Sequence, residues 1–185
     1  MNTVRLVLYP ADAESAAPDR RRLLDGLLSA GLLGSQSDRG AGLYQPGSRF
    51  MSLVTFLGCS PTVSMTEDPN DDDTPNRYYI ELPEPTVDIS VIQDNRSIQP
   101  KCPHCGKTNS HWCSPVSTAL ESHACEHCGK ESRAHQWNWR RRLGFGRVWI
   151  NIQGVHDGEA VPGEKLLDTL EKLTGFVWDY AFCRN

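Results

Sequence analysis

Two cysteine pairs in the middle of the chain share one spacing. Cys102 and Cys105 form the first Cys-x-x-Cys pair, Cys125 and Cys128 form the second, and each pair continues into Gly-Lys. Two residues between the cysteines let one tight turn present both sulfurs to a metal ion. The glycine that follows permits the positive φ that such a turn needs. The pattern therefore predicts a metal site with four sulfur ligands.

Zinc is the metal that these ligands favour. Zn²⁺ accepts four thiolates in a tetrahedron at about 2.3 Å. Seven cysteines, an odd number, also suit metal ligands or free thiols better than a set of disulfides. We expect one Zn²⁺, although an iron site with the same ligands is chemically possible. Because four thiolates leave no coordination position for water, the predicted role of the metal is structural rather than catalytic.

Residues 101–130 resemble the zinc-ribbon family, in which two such knuckles, the Cys-x-x-Cys-Gly turns, sit on hairpins. A looser resemblance covers the remainder, because segment 56–61 followed by a ribbon is similar to a group of uncharacterised bacterial proteins. Neither resemblance implies an activity. His104 and His127 lie inside the knuckles, where we expect them to point outward as bystanders.

A basic and aromatic stretch follows the predicted ribbon. Residues 101–147 contain eight lysines and arginines against three glutamates, although the whole chain has a net charge of −4. Arginines interleaved with tryptophans could bind phosphates and stack on bases, as in proteins that bind single strands. Alternatively, the tryptophans pack the ribbon against the rest of the protein. The candidate nucleic-acid or partner-binding residues are Trp137, Trp139, Arg140, Arg141, Arg142 and Arg147.

Three cysteines remain outside the knuckles, namely Cys59, Cys113 and Cys183. A reactive thiol needs a lowered pKa and access to solvent, and it would suit a thiol enzyme or a redox protein. A lone cysteine more often packs as a small apolar side chain. Since no complete catalytic set accompanies any of the three in the sequence, we expect a protein without enzymatic activity.

The composition limits the class of protein. With 38% hydrophobic residues in 185, the chain can bury a core of its own. No apolar run approaches the roughly 20 residues that a membrane-spanning helix needs. The first ten residues also lack the basic and apolar regions of a signal peptide. We therefore expect a cytoplasmic protein without membrane contact.

Each terminal region has the pattern of a strand, a helix and a second strand. The predicted segments are 4–9, a leucine-rich helix after Pro18, and 50–57 at one end, and 148–152, 166–173 and 176–182 at the other. Two such halves would share one sheet with helices on one face, as in ferredoxin-like βαβ pairs. The predicted class is α+β, with further short strands at 78–82 and 87–92.

The predicted organisation is a discontinuous α/β domain with an insertion. Residues 1–98 and 147–185 form the α/β domain, and residues 99–146 form the inserted zinc ribbon with its basic aromatic extension. The preferred hypothesis is a zinc-binding adaptor that recognises a protein partner, because metal ligation can replace a large core and leave the surface for recognition. A nucleic-acid-binding protein that uses 137–147 and a thiol redox protein are the alternatives.

Overall fold

The structure, a computed structural model, describes residues 4–38, 40–57, 78–93, 96–155 and 158–184. Helices and mostly antiparallel strands mix in these residues, so the predicted α+β class is confirmed. The helices are α1 (Arg20–Ala30), α2 (Phe50–Leu53) and α3 (Glu164–Thr174). The strands are β1 (Val4–Pro10), β2 (Leu33–Gln36), β3 (Leu43–Pro46), β4 (Val54–Phe56), β5 (Tyr79–Glu81), β6 (Ser90–Ile92), β7 (Ser122–Ala124), β8 (Glu131–Arg133), β9 (Gly144–Gly146), β10 (Ile150–Val155), β11 (Ala160–Pro162) and β12 (Trp178–Arg184).

A six-stranded sheet lies at the centre of the fold. Its order is β12-β1-β10-β5-β3-β2, and each neighbouring pair is antiparallel. β1 and β5 therefore run in the same direction on either side of β10, and β10 and β12 do so on either side of β1. Since α1 lies between β1 and β5 in sequence, and α3 between β10 and β12, the four strands interleave as in a ferredoxin-like βαβ pair.

The helices α1 and α3 cover one face of this sheet and contact each other. Leu6 and Leu8 of β1 lie in one buried cluster with Leu23 and Leu27 of α1 and Leu166 of α3. Full burial of a leucine side chain contributes about 1.5–3 kcal/mol. The leucine spacing that predicts both helices is thus the spacing that attaches them to the sheet.

The opposite face of the sheet packs toward the ribbon. Val7 of β1 lies in a separate buried cluster with Ala181 and Cys183 of β12 and Ile92 of β6. Successive strand residues point to opposite faces, so Val7 faces away from the helices. β6 pairs with β9, which lies within the basic aromatic stretch 137–147. This small sheet connects the ribbon to the face that the helices leave uncovered.

The predicted helices and most of the predicted strands agree with the structure, although only the last three residues of the predicted strand at 87–92 form β6. The segments 4–9 and 176–182 correspond to β1 and β12, and the first helix ends at Gly31, whose φ of 75° suits glycine. Its N-cap is Asp19, whose side chain accepts a hydrogen bond from the Arg22 amide. No helix in the described residues is long and apolar enough to cross a bilayer.

The prediction of one strand at 50–57 is wrong. The first four residues form the short helix α2, and β4 pairs with β11 outside the central sheet. A short apolar run fits either a buried helical turn or a strand, and periodicity cannot separate them. β5 takes the predicted place in the sheet. Cys59, one of the three cysteines outside the knuckles, is not among the described residues.

Candidate metal centre

The four knuckle cysteines converge on one point. The Sγ atoms of Cys102 and Cys128 are 3.8 Å apart, and those of Cys105 and Cys125 are 3.7 Å apart. All four sulfurs lie within 4.8 Å of one another. A tetrahedron with metal–sulfur bonds of about 2.3 Å has edges of about 3.8 Å, whereas a disulfide has an S–S bond of about 2.05 Å. The arrangement therefore fits a bound metal ion and not a pair of disulfides.

The two knuckles have the same backbone geometry. In the first, the Gly106 amide donates to the Cys102 carbonyl at 2.9 Å, and in the second the Gly129 amide donates to the Cys125 carbonyl at 2.8 Å. The glycines have φ of 71° and 69°. This left-handed backbone is the one that glycine adopts without steric cost. The glycine in each Cys-x-x-Cys-Gly segment thus closes the turn that presents the two sulfurs.

Backbone amides also point at the sulfurs. The His104 amide donates to Cys102 Sγ at 3.3 Å, and the His127 amide donates to Cys125 Sγ at 3.4 Å. Such hydrogen bonds stabilise thiolate more than thiol. Cys102 and Cys125 are buried, whereas Cys105 and Cys128 are exposed. The site is therefore shielded on one side and open to solvent on the other.

The proton affinities of the sulfurs differ. Burial raises the pKa of Cys125, but hydrogen bonds from the His127 and Cys128 amides and from neighbouring sulfurs outweigh it and lower the pKa to about 6. At Cys105 the Lys107 amide lowers the pKa, yet partial desolvation of the sulfur and hydrogen bonds with the three neighbouring thiols outweigh that bond and raise the pKa to about 11. A divalent cation between the sulfurs would favour the thiolate form of all four.

Neither knuckle histidine belongs to the four-sulfur cluster, but each ring makes a hydrogen bond across the ribbon. His104, in the first knuckle, has Nε2 at 3.1 Å from the Ser132 hydroxyl, on the strand after the second knuckle. His127, in the second knuckle, has Nε2 at 3.0 Å from the Thr108 carbonyl, just after the first knuckle. Each ring therefore connects its own knuckle to the other. The signal in the sequence was the repeated position of histidine directly before the second cysteine.

Glu126 adds a further connection across the ribbon. Its carboxylate accepts hydrogen bonds from the Ser110 amide at 2.7 Å and from the Ser110 hydroxyl at 3.0 Å. It also lies 3.1 Å from His111 Nδ1 and 3.3 Å from His127 Nε2. The Ser110 amide, together with the hydroxyl and the two imidazoles, holds the pKa of the Glu126 carboxyl below its ordinary value. Glu126 thus fixes the loop after the first knuckle to the second knuckle.

Three tryptophans pack together beside the buried cysteines. The Trp112 ring lies edge-on to Trp137 and Trp139, with centroids 5.2 Å and 5.0 Å apart, and it stacks on His123 at 3.9 Å. The tryptophans share one buried cluster with Cys102 and Cys125. Aromatic pairs in such geometry add about 0.5–1.5 kcal/mol each beyond their buried area. The ribbon therefore has a small aromatic core of its own.

The burial of the tryptophans bears on the nucleic-acid hypothesis. Trp137 and Trp139 are only 4% and 3% exposed. Their indole N–H groups donate to the carbonyls of Ser132 at 3.1 Å and Ala134 at 2.8 Å. A ring that stacks on a base needs an open face. These contacts favour the packing interpretation for both tryptophans.

The candidate arginines contact the protein itself. Arg147 donates to the carbonyls of Val87 at 2.9 Å, Glu14 at 2.9 Å and Ser15 at 3.2 Å. Arg142 is half-buried, and its amide donates to the Trp139 carbonyl. Arg147 thus takes part in holding the ribbon extension to the rest of the fold, whereas the Arg142 amide closes a turn within the extension.

Arg140 and Arg141 are exposed and lie on a tight turn. Their φ angles are 55° and 57°, and the Arg142 amide closes the turn with a 3.0 Å hydrogen bond to the Trp139 carbonyl. Two successive positive φ angles characterise a type I′ turn, for which Asn-Gly is the usual sequence. A left-handed backbone costs a residue with a side chain about 1–2 kcal/mol. The chain therefore retains two arginines at positions where they strain the backbone.

Two of the remaining thiols, Cys113 and Cys183, do not belong to the four-sulfur cluster. Cys183 is fully buried, with its Sγ 3.6 Å from the carbonyl oxygens of Ile92 and Arg142. Cys113 is half-buried. Cys59 lies outside the described residues. The contacts of Cys183 are those of a packed side chain rather than of a reactive thiol.

The likeness to zinc ribbons rests on the two knuckles. β7 and β8 form a hairpin around the second knuckle, whereas a single bridge between Lys101 and Thr108 closes the first. The four-cysteine cluster is compatible with a zinc-ribbon-like site. No protein-family model, curated protein or solved structure that was compared with the chain matches it.

Proposed function

We propose that the chain is a zinc-binding adaptor in which one structural Zn²⁺, held by Cys102, Cys105, Cys125 and Cys128, fixes the ribbon. The convergence of the four sulfurs within 4.8 Å supports this proposal most directly. Four thiolates select zinc or iron over harder metals, and zinc takes a tetrahedral set of four without further ligands. The metal would stabilise the fold and leave no position for catalysis.

The domain arrangement belongs to the same proposal. Residues 99–146 would form an insertion into an α/β domain made of residues 1–98 and 147–185. This division is supported by the packing, because the aromatic cluster beside the four cysteines is separate from the leucine-rich cluster under the helices. A unit with so small a core would depend on its metal for stability.

A groove beside the ribbon supports the binding of a protein partner. The groove has a volume of about 880 Å³ and lies between β6 and the loop that precedes β7. Ile89, Val91 and Val116 contribute apolar side chains, and Leu120 is 56% exposed. Two of the charged side chains at its edge contact each other, since Arg133 lies 3.5 Å from Glu14, and Arg147 donates to backbone carbonyls. The partner would therefore present mainly apolar side chains.

The zinc part of the proposal is tested by metal analysis. Elemental analysis of purified protein should find one zinc per chain, and X-ray absorption at the zinc edge should find four sulfur neighbours at about 2.3 Å. Iron in stoichiometric amount, or oxygen and nitrogen neighbours, would contradict the assignment.

The adaptor part is tested by a pair of matched variants. Leu120→Asp places a charge in the groove, whereas Leu28→Asp places one on an exposed position of α1 that does not line it. A partner captured from lysate would be purified and titrated directly by calorimetry. We expect at least a tenfold weaker affinity for Leu120→Asp and an unchanged one for Leu28→Asp. Equal affinities would place the partner elsewhere.

A further inference from the structure

A second cleft lies between the ribbon extension and the central sheet. It has a volume of about 550 Å³, within the range of small-molecule sites. Tyr9 at the end of β1 and Asp179 in β12 line it from one side, and the Trp139 to Arg141 segment lines it from the other. Ligand sites often form where two structural units meet. Neither the metal centre nor the groove beside β6 uses this cleft.

The two arginines at the rim of the cleft differ in whether a nearby carboxylate balances their charge. Arg141 has its Nε 3.6 Å from Asp179 Oδ1 and its guanidinium carbon 4.1 Å from the centre of the Tyr180 ring. In the part of the chain that the structure describes, the Arg140 guanidinium donates one hydrogen bond, from Nη2 to the Gln99 carbonyl at 2.7 Å. A guanidinium has five N–H donors, so most of those on Arg140 remain for a ligand. Since Asp179 offsets the charge of Arg141, the rim retains the positive charge of Arg140.

The wall of the cleft is aromatic and neutral. Tyr9 lines it, and burial, followed by the charge of Asp179, raises the pKa of the Tyr9 hydroxyl well above its ordinary value. The side chain of His135 also lines it and is 8% exposed, and its Nε2 has no hydrogen-bond partner in the described part of the chain. Glu14 Oε1 is 3.8 Å away from that nitrogen, too far for a hydrogen bond. The cleft therefore combines a cationic rim with uncharged rings.

We infer that this cleft binds a small molecule that carries a phosphate group. Arginine holds phosphate in a bidentate contact, and Arg140 supplies the guanidinium for it, because the Arg141 guanidinium is held by Asp179 and the Tyr180 ring. A nucleic-acid strand fits less well, because the tryptophans that could stack on successive bases are buried. A ligand that needs Arg140 at this place would also account for an arginine on a strained turn where glycine would relax the backbone.

Substitution of Arg140 distinguishes a role in ligand binding from a role in stabilising the turn. Arg140→Gly removes the guanidinium and relaxes the positive φ, so the variant should unfold at a higher temperature than the wild type. Its affinity for phosphate should fall at the same time. Arg21→Ala is the matched control, because Arg21 is exposed on α1 and does not line the cleft.

Inorganic phosphate and adenosine 5′-monophosphate are the probes. Titrations of the zinc-loaded, full-length protein would follow the indole N–H resonances of Trp137 and Trp139 by NMR. We expect saturable shifts for both probes in the wild type and in Arg21→Ala, and at least a tenfold weaker affinity in Arg140→Gly. Thermal unfolding of each variant verifies that the fold is retained.

Other results would overturn the inference. An unchanged affinity in Arg140→Gly, or shifts that do not saturate, would show that Arg140 does not form a phosphate site. An equal loss of affinity in Arg21→Ala would show that phosphate responds only to overall charge. A single-stranded oligothymidylate that binds far more tightly than the mononucleotide, with a steep dependence on salt, would instead indicate a nucleic-acid surface.

Discussion

The imidazole of His104 lies with its Nε2 3.1 Å from the hydroxyl oxygen of Ser132, although 28 residues separate the two in sequence. This contact joins the first knuckle to the strand that leaves the second. The contact of His127 with the Thr108 carbonyl joins them in the other direction. Two hydrogen bonds around the proposed zinc site therefore connect the two knuckles, in addition to the metal itself.

The first prediction concerns these histidines. His104→Ala should lower the free energy of unfolding by about 0.5–1.5 kcal/mol, because one hydrogen bond between the knuckles is lost. It should also weaken zinc about tenfold, the lower end of the loss seen when a group that orients a metal ligand is removed. Thermal unfolding and competition with a chelator would measure the two effects. The control is His111→Ala, since the His111 side chain is 84% exposed; an equal loss there would contradict the prediction.

The second prediction concerns removal of the metal. Cys125→Ser should abolish stoichiometric zinc, whereas Cys113→Ser should retain it, because Cys113 does not belong to the four-sulfur cluster. Without zinc the ribbon should lose its packing, since the metal supplies much of the folding energy of so small a unit. Cys125 shares a buried cluster with Trp112, Trp137 and Trp139. Their fluorescence should therefore shift to longer wavelength in Cys125→Ser and stay unchanged in Cys113→Ser.

The third prediction concerns the knuckle glycines. Gly106 and Gly129 have φ near 70°, and a Cβ added to either would meet no atom within 4 Å. Alanine would thus cost only the left-handed backbone, about 1–2 kcal/mol, without a clash. Chemical denaturation of Gly106→Ala and Gly129→Ala should show this loss in each. Gly40→Ala is the control, because its Cβ makes ordinary contact at 3.5 Å and its φ is not positive; a loss of equal size there would contradict the argument.

The metal centre is the part of the protein that its sequence predicts best. The ligands, the turn and the glycine are all local, so a segment of six residues encodes each knuckle. The packing around the centre is not local. Trp112 lies 25 residues before Trp137, and nothing in either segment indicates that the two rings meet edge to edge. The hydrogen bonds of His104 and His127 could not be predicted for the same reason, because the partner of each lies just after the other knuckle.

The fold shows a similar division between local and distant information. Leucine spacing predicts α1 and α3 because amphipathic periodicity is a property of the helix itself. It does not identify which strand completes the first βαβ unit. The apolar run at 50–57 is longer than the short strand β5, yet β5 pairs with β10 in the central sheet. Strand pairing depends on distant partners, so the stronger local signal pointed to the wrong segment.

The fourth prediction concerns His135 and acid. Burial lowers the pKa of His135, the charge of Arg133 lowers it further, and the carboxylates of Glu14 and Asp12 raise it. The net shift is downward from the ordinary value of 6.5. At a pH between the two values the unfolded chain binds more protons than the folded one. The stability that neutral His135 contributes is therefore present above pH 6.5 and is lost as the pH falls through the folded pKa.

A variant that cannot titrate isolates this effect. His135→Gln keeps a polar side chain of similar length but has no proton to gain. With zinc saturating, the free energy of unfolding of the wild type should fall more between pH 7.5 and 5.5 than that of His135→Gln. Because both proteins retain the same four cysteines, loss of zinc in acid affects them alike. A parallel decline would show that His135 does not contribute to the acid sensitivity.

The last prediction separates a packed thiol from a reactive one. Cys183 is fully buried, and its Sγ lies 3.6 Å from the carbonyl oxygens of Ile92 and Arg142. A thiol that donates to carbonyls is stabilised in its protonated form, and only the thiolate reacts. Iodoacetamide should therefore modify half-buried Cys113 in the native, zinc-loaded protein and reach Cys183 only after unfolding in guanidinium. Mass spectrometry of the two peptides over time measures both rates.

A redox role for Cys183 would require the opposite result. An oxidant could reach its sulfur only if residues that cover it, such as Ile92 of β6 or Arg142, moved away from β12. Alkylation of Cys183 in the native protein at the rate of a free thiol would show that this opening occurs, and it would favour the redox hypothesis over the adaptor. Protection of Cys183 until global unfolding would indicate that the thiol only packs between β12 and the residues that cover it, Ile92 and Arg142. Its contacts support this role.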